Sequence, residues 1–173
     1  MFLPRHAHGL PGRLGFAPTP GRWRLNSRLE PVRQLEADLT CLRDRCRAQV
    51  LVTLLEEDEM RALDLVGLLE GTRRAGLENL WFPIRDGTAP PDLPTAGRLI
   101  ERILEHLSGG RTVVVHCHAG IGRSGTVTAC CLIGAGQDPA RALELVRELQ
   151  PEAATAPGQE KFVQEFARAH RAR

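Results

Sequence analysis

The sequence has no tyrosine and a single lysine, Lys161, against 22 arginines; aromatic residues make up only 4%. There is therefore no lysine-rich face, and a net charge of +2 excludes a dedicated nucleic-acid binder. The arginine excess, alongside many Ala and Gly, reads first as the coding bias of a GC-rich genome. No apolar run reaches the roughly 18 residues a spanning helix needs, so no membrane span is expected. Residues 1–12, with Pro4, His6, His8 and Pro11, lack the apolar stretch of a signal peptide and are expected to form a flexible tail. The cysteines are Cys41, Cys46, Cys117, Cys130 and Cys131, an odd number with no metal-like Cys-x-x-Cys pair. Reduced thiols in a cytoplasmic protein are expected.

What is present suits one folded domain, residues 13–173. The chain is 42% hydrophobic and 25% charged, enough apolar material for a core without disulfide or metal. Short strands are expected near Arg13 to Ala17 and Arg22 to Leu25. Leu35, Leu39 and Leu42 recur at helical spacing, predicting a helix over 31–48. Apolar, β-branched runs at 49–55, 80–84 and 111–116 read as buried strands. Between the first two, Glu56, Glu57, Asp58 and Glu59 read as the solvated start of a helix reaching about Arg74, not as a metal site. Further helices are expected over 95–107, 124–133, 138–149 and 158–170. Strands alternating with helices predict an α/β fold, a mostly parallel central sheet flanked by helices on both faces.

The chemically informative stretch is Val115 to Thr126. Cys117 is separated by five residues from Arg123. That spacing alone is cheap here, because Cys41 and Arg47 share it inside a charged helical segment. Context separates the two. Cys117 follows the strongest strand and precedes a helix, with Gly120, Gly122 and Gly125 close behind. Glycines let a backbone turn tightly, so that the amides from His118 through Ala119, Gly120, Ile121 and Gly122 to Arg123 can cradle a phosphate at a helix N-terminus. The planar guanidinium of Arg123 suits two phosphate oxygens. Helix N-termini and nearby cations favour thiolate over thiol, so Cys117 is expected to be a standing nucleophile.

The run from His116 to Thr126, His-Cys-x-Ala-Gly-x-Gly-Arg-Ser-Gly-Thr, resembles the signature loop of cysteine-dependent protein tyrosine phosphatases. From about Leu14 to Phe166 the chain resembles the dual-specificity branch, and within it the cyclin-dependent-kinase-associated phosphatase group. Pro83-Ile84-Arg85-Asp86-Gly87 with Pro91-Asp92 resembles that group's acid loop, and Gln159-Glu160-Lys161-Phe162 its C-terminal glutamine segment.

The resemblance implies a dual-specificity-phosphatase-like fold and a phosphatase using a covalent phosphocysteine. It gives Asp86 the role of general acid and then base, with Asp92 as rival. Ser124 would stabilise the departing thiolate, His116 orient the loop, and Gln159 position water. The segment around Thr155 departs from the group's pattern. No cofactor or metal is implied. The aromatic recognition loop of larger tyrosine-specific phosphatases is missing, so a shallow cleft is expected. It would admit phosphotyrosine and also phosphoserine or phosphothreonine, with a mildly basic rim from His118 and Arg85. The expected partner is a phosphorylated protein or small phosphate ester, met by a monomer. Alternatives are a phosphoinositide or other small-phosphate phosphatase, and a non-catalytic phosphate-binding module. Redox or arsenate chemistry would need Cys130 or Cys131 as a resolving thiol. Both are expected in the core of the helix behind the loop.

Overall fold

A computed structural model of the chain describes residues 1–22 and 31–171. β-Branched runs set the sheet. Strand β4 (Thr112–His116) is buried at all five positions and lies inside the sheet. It pairs in parallel with β1 (Arg13–Ala17) on one side and β2 (Val50–Thr53) on the other. Strand β3 (Glu78–Trp81) extends β2 in parallel, giving the order β1-β4-β2-β3. The fold is the expected α/β architecture with a parallel sheet.

Alternation along the strands divides the core in two. Val113, Val115, Val50, Val52, Leu14 and Phe16 face one cluster, covered by α4 (Leu93–Ser108), α5 (Gly122–Gly134), α6 (Pro139–Leu149) and α7 (Pro157–Arg171). Val114 and Leu51 face the other, covered by α1 (Pro31–Asp44), α2 (Glu57–Ala62) and α3 (Leu68–Arg74). Helix α5 is buried at every position from Arg123 to Ile133, which explains why it reads as apolar all round. Cys130 and Cys131 lie there as free thiols, and burial pushes both well up, away from ionisation.

Several boundaries differ from expectation. The single helix expected up to Arg74 is two, because Asp64 takes a left-handed turn between them. The strand expected at 80–84 lies at 78–81; Pro83, with no N–H to give a ladder, stands just beyond it. The strand expected near Arg22 to Leu25 lies almost wholly outside the described residues. The first twelve residues, expected as a loose tail, lie along the outer edge of β1. Phe2 bridges Gly15, the Leu3 amide donates to the Leu14 carbonyl at 2.9 Å, and Leu3 and Ala7 are buried. Covering that edge satisfies backbone groups that would otherwise face solvent.

The C-terminal ends of β1, β4 and β2 stand side by side, and such an end is where parallel sheets place their ligands. There the loop after β4 crosses the segment after β1: the Thr19 amide donates to the His118 carbonyl at 3.0 Å. Gly120 makes this crossing possible. Its φ is +72°, and an added Cβ would lie 2.3 Å from the Pro18 nitrogen. Gly120→Ala should therefore cost at least about 2 kcal/mol, a fall of roughly 4–8 °C in Tm by thermal denaturation.

Candidate active site

Cys117 follows β4 directly and is only 2% exposed. Its Sγ lies 3.4 Å from the Ser124 Oγ. Helix α5 begins at Gly122, so Ser124 sits in its first turn, where backbone N–H groups have no carbonyl of their own helix to bond. Sulfur, hydroxyl and helix N-terminus are thus brought together by the turn.

Arg123 is the largest fully buried side chain, at 1% exposure. Its Nη1 donates to Glu59 Oε2 at 2.6 Å and to the Ile84 carbonyl at 2.8 Å. Its Nη2 donates to Glu59 Oε1 at 2.8 Å and pairs with Asp86 Oδ1 at 2.9 Å. Burial works against the guanidinium's charge, but Glu59, Cys117 and Asp86 around it raise its affinity for its proton. The buried Nε has no partner in the protein. An unmet buried donor on this group is what an incoming oxyanion would satisfy.

Glu59 is the residue the sequence reading missed. Expected in a solvated helix start, it instead serves two masters. It caps α2, where the Glu56 amide donates to Glu59 Oε2 at 2.9 Å, and it grips Arg123 with both oxygens. Burial alone would raise its pKa; the bonds from Arg123 and Glu56 win, holding it below the usual range. The Glu-rich run was visible, but nothing local says which acid meets an arginine 64 positions away.

His116 is fully buried. Its Nε2 lies 3.0 Å from Thr53 Oγ1 and its Nδ1 3.4 Å from the Cys117 carbonyl. Burial lowers its pKa to about 4, so the ring is neutral. Gln159, 2% exposed, comes in from α7 and donates from Nε2 to the Thr88 carbonyl at 3.0 Å. It lies so close to Gly122 that a Cβ there would meet its amide at 2.8 Å.

A cleft of about 330 Å³ is lined by Cys117, His118, Ala119, Ile121, Gly122 and Arg123, with Asp86, Gly87, Glu152, Thr155, Ala156 and Gln159 opposite. The structure thus brings Asp86 to Arg123. The rival Asp92 is occupied elsewhere: it caps α4, accepting the Thr95 amide at 2.7 Å, and that bond lowers its pKa. Of the expected basic rim, His118 lines the cleft and Arg85 does not. Arg85, between Ile84 and Asp86 that both meet Arg123, stands outside the lining, while Glu152 stands inside it. Thr155, doubtful in register, does reach the cleft.

Among the described residues, Glu59, Asp86 and His118 form the one group presenting three metal-type ligand atoms, within 4.8 Å of one another. Both carboxylates already face Arg123, which supplies the local cation.

A thiol, a hydroxyl and a clamped guanidinium, gathered where the central strand of a parallel sheet turns into a helix, are the arrangement of the cysteine-based phosphatase superfamily. The chain belongs to the family described as "Polymorphic toxin system, DSP-PTPase phosphatase", whose model matches residues 28–137. It is similar to the Arabidopsis thaliana phosphatidylglycerophosphate phosphatase PTPMT2, 38% identical over 93 residues, 53% of this chain and 41% of that one. It is also similar to human cyclin-dependent kinase inhibitor 3, 27% identical over 107 residues, 61% of this chain and 50% of the other. The matched region spans less than two thirds of either relative's own length. The crystal structure of kinase associated phosphatase shares the fold at a TM-score of 0.85, covering 99% of this chain and 95% of that one at 23% identity. PTPMT1 in complex with PI(5)P superposes at 0.69, with 25% identity and coverage of 78% and 85%.

Removing Glu59 leaves a buried, unbalanced guanidinium. Glu59→Ala should cost about 3 kcal/mol in chemical denaturation. The pair also carries a pH signature. A depressed carboxylate stabilises the fold above its unfolded pKa and loses that contribution as pH falls through the folded value. The Tm advantage of the native protein over Glu59→Gln should therefore shrink on acidification from about pH 6 to about pH 3.

Proposed function

We propose that this protein is a phosphoprotein phosphatase that hydrolyses phosphotyrosine, and phosphoserine or phosphothreonine, through a phosphocysteine on Cys117. The observation that carries this reading is the convergence of Cys117, Arg123 and Asp86 on one cleft, with the Ser124 hydroxyl beside the Cys117 sulfur.

A phosphate dianion entering the cleft takes the place of the Asp86 carboxylate on Arg123 and meets the unpartnered Nε. The Cys117 thiolate attacks phosphorus; the S–P bond forms as the P–O bond to the leaving group breaks. Asp86, released from Arg123 and protonated, delivers its proton to the leaving oxygen. In the second step Asp86 takes a proton from water as the water oxygen attacks phosphorus. The S–P bond breaks, inorganic phosphate departs, and the Ser124 hydroxyl donates to the returning thiolate. Gln159, lining the cleft, is placed to hold that water. Arg123 is already fixed by Glu59 and Ile84, so little reorganisation accompanies charge development.

The charge of the mouth supports a protein substrate. Its lining contains Asp86 and Glu152 and no lysine, and its only arginine is the one clamped by Glu59. A headgroup with several phosphates would meet Glu152, with Arg123 already engaged by Glu59 and His118 the other basic side chain of the lining. The second reading, a lipid phosphatase acting on phosphatidylglycerophosphate or a phosphoinositide, is favoured by the names of the PTPMT relatives. A monomer as the working unit belongs to the proposal. A reducing setting such as the cytoplasm belongs to the proposal, because an attacking thiol must stay reduced.

Hydrolysis of p-nitrophenyl phosphate without added metal should disappear in Cys117→Ser; turnover surviving that change would end the reading. Asp86→Ala should lower kcat on a phosphoserine peptide by about 10²–10⁴-fold. The loss should be smaller on p-nitrophenyl phosphate, whose leaving group needs less protonation. Glu152→Lys should raise the rate on phosphoinositide vesicles relative to a phosphopeptide. Native turnover that is faster on the vesicles would select the lipid reading instead.

A further inference from the structure

The ends of β2 and β4 carry a hydrogen-bonded chain that leads to the nucleophile. Thr53 closes β2 and His116 closes β4, and the two are register partners. Asn79 on β3 lies two residues before Trp81, the register partner of Thr53, which makes it a diagonal neighbour of Thr53 on the same face. The Asn79 amide nitrogen donates to Thr53 Oγ1 at 3.0 Å, and the same oxygen lies 3.0 Å from His116 Nε2. On the far side of the ring, His116 Nδ1 faces the Cys117 carbonyl at 3.4 Å. Thr53 and His116 are fully buried and Asn79 is half-buried, so the bond between the threonine and the ring is closed to solvent.

We propose that Thr53, held by Asn79, is a positioning residue that fixes the His116 tautomer and through it the peptide of Cys117. The inference rests on Cys117 being the nucleophile. A threonine hydroxyl has one proton. Its oxygen has two lone pairs, so with Asn79 donating to one of them the hydroxyl can still give its own proton to His116 Nε2, which is then the acceptor. The neutral ring then carries its proton on Nδ1. A carbonyl can only accept, so the Cys117 end demands the same tautomer. Every bond from Asn79 through Thr53 and His116 to the Cys117 carbonyl runs in one direction.

The consequence reaches the phosphate loop. In a planar trans peptide the C=O and the following N–H point opposite ways. Holding the Cys117 carbonyl against His116 therefore aims the His118 N–H away from the ring, toward the interior of the loop. Burial is the main influence on His116; the Cys117 backbone carbonyl favours a charged ring, and the guanidinium of Arg123 opposes it. The donor chain therefore operates through a neutral histidine. The wrong tautomer would set an N–H against the threonine donor and a lone pair against the carbonyl.

The test is the ring nitrogen NMR spectrum of His116 in the native protein, Thr53→Val and Thr53→Ser, with kcat and Tm measured on each. Valine keeps the shape and removes the hydroxyl; serine keeps the hydroxyl. The native ring should show its proton on Nδ1. Thr53→Val should move population to Nε2–H and lower kcat about 10-fold or more, the scale of lost supporting hydrogen bonds, with KM changing little. Thr53→Ser should restore both tautomer and rate. A native ring protonated on Nε2 would overturn the proposal. So would a folded Thr53→Val protein with native tautomer and rate, or a Thr53→Ser protein as impaired as the valine variant. The ring spectrum needs no turnover. An inactive native protein would therefore fail the phosphatase reading, while the spectrum still decides the tautomer.

Discussion

The structure turns on a buried positive charge. A guanidinium withdrawn from water is costly unless every side of it is met. Arg123 is met by both oxygens of Glu59, by the Ile84 carbonyl and by Asp86. These partners come from the start of α2 and from the segment after β3, so satisfying one side chain fixes three parts of the chain around the loop. The Nε left over has no partner in the protein, and in the proposed mechanism a substrate oxygen completes it. Structural clamp and phosphate receptor are then one object: the contacts that make burial tolerable also hold the fork open toward the cleft.

The parallel sheet supplies the geometry. Because β1, β4 and β2 run the same way, their C-terminal ends deliver Pro18, Cys117 and the segment leading to Glu59 to one edge. The enclosed position of α5 gives the loop a rigid far wall, and α7 returns over it to deliver Gln159. The acid loop is the exposed partner. The Asp86 side chain is 70% exposed although it touches a buried arginine, a placement suited to a group that must leave that arginine when phosphate arrives.

The buried strands were readable as apolar, β-branched runs and α1 from the spacing of Leu35, Leu39 and Leu42, because burial imposes its pattern on a single segment. The thiol loop was readable for a similar reason: Cys117, the glycines and Arg123 are contiguous, and the turn they require is local. Failures fell where the signal was not local. Glu59 looked like one of four solvated acids, and Arg85 like part of the rim. The first twelve residues carry Pro and His in place of a regular pattern, and only the exposed edge of β1 shows why Phe2 and Leu3 belong there.

By itself, then, the sequence determined the succession of strands and helices, the Gly-rich thiol loop and the absence of a long apolar helix, since each depends on neighbours in the chain. Tertiary structure decided which acid clamps Arg123, which aspartate reaches it, that the mouth carries Glu152 rather than Arg85, and that Thr53 and Asn79 stand behind His116. The physical reason is the same in each case. A buried polar group must be paired, but its partner is chosen by the packing of sheet and helices, at sequence separations such as the 63 residues between Thr53 and His116 that no local pattern encodes.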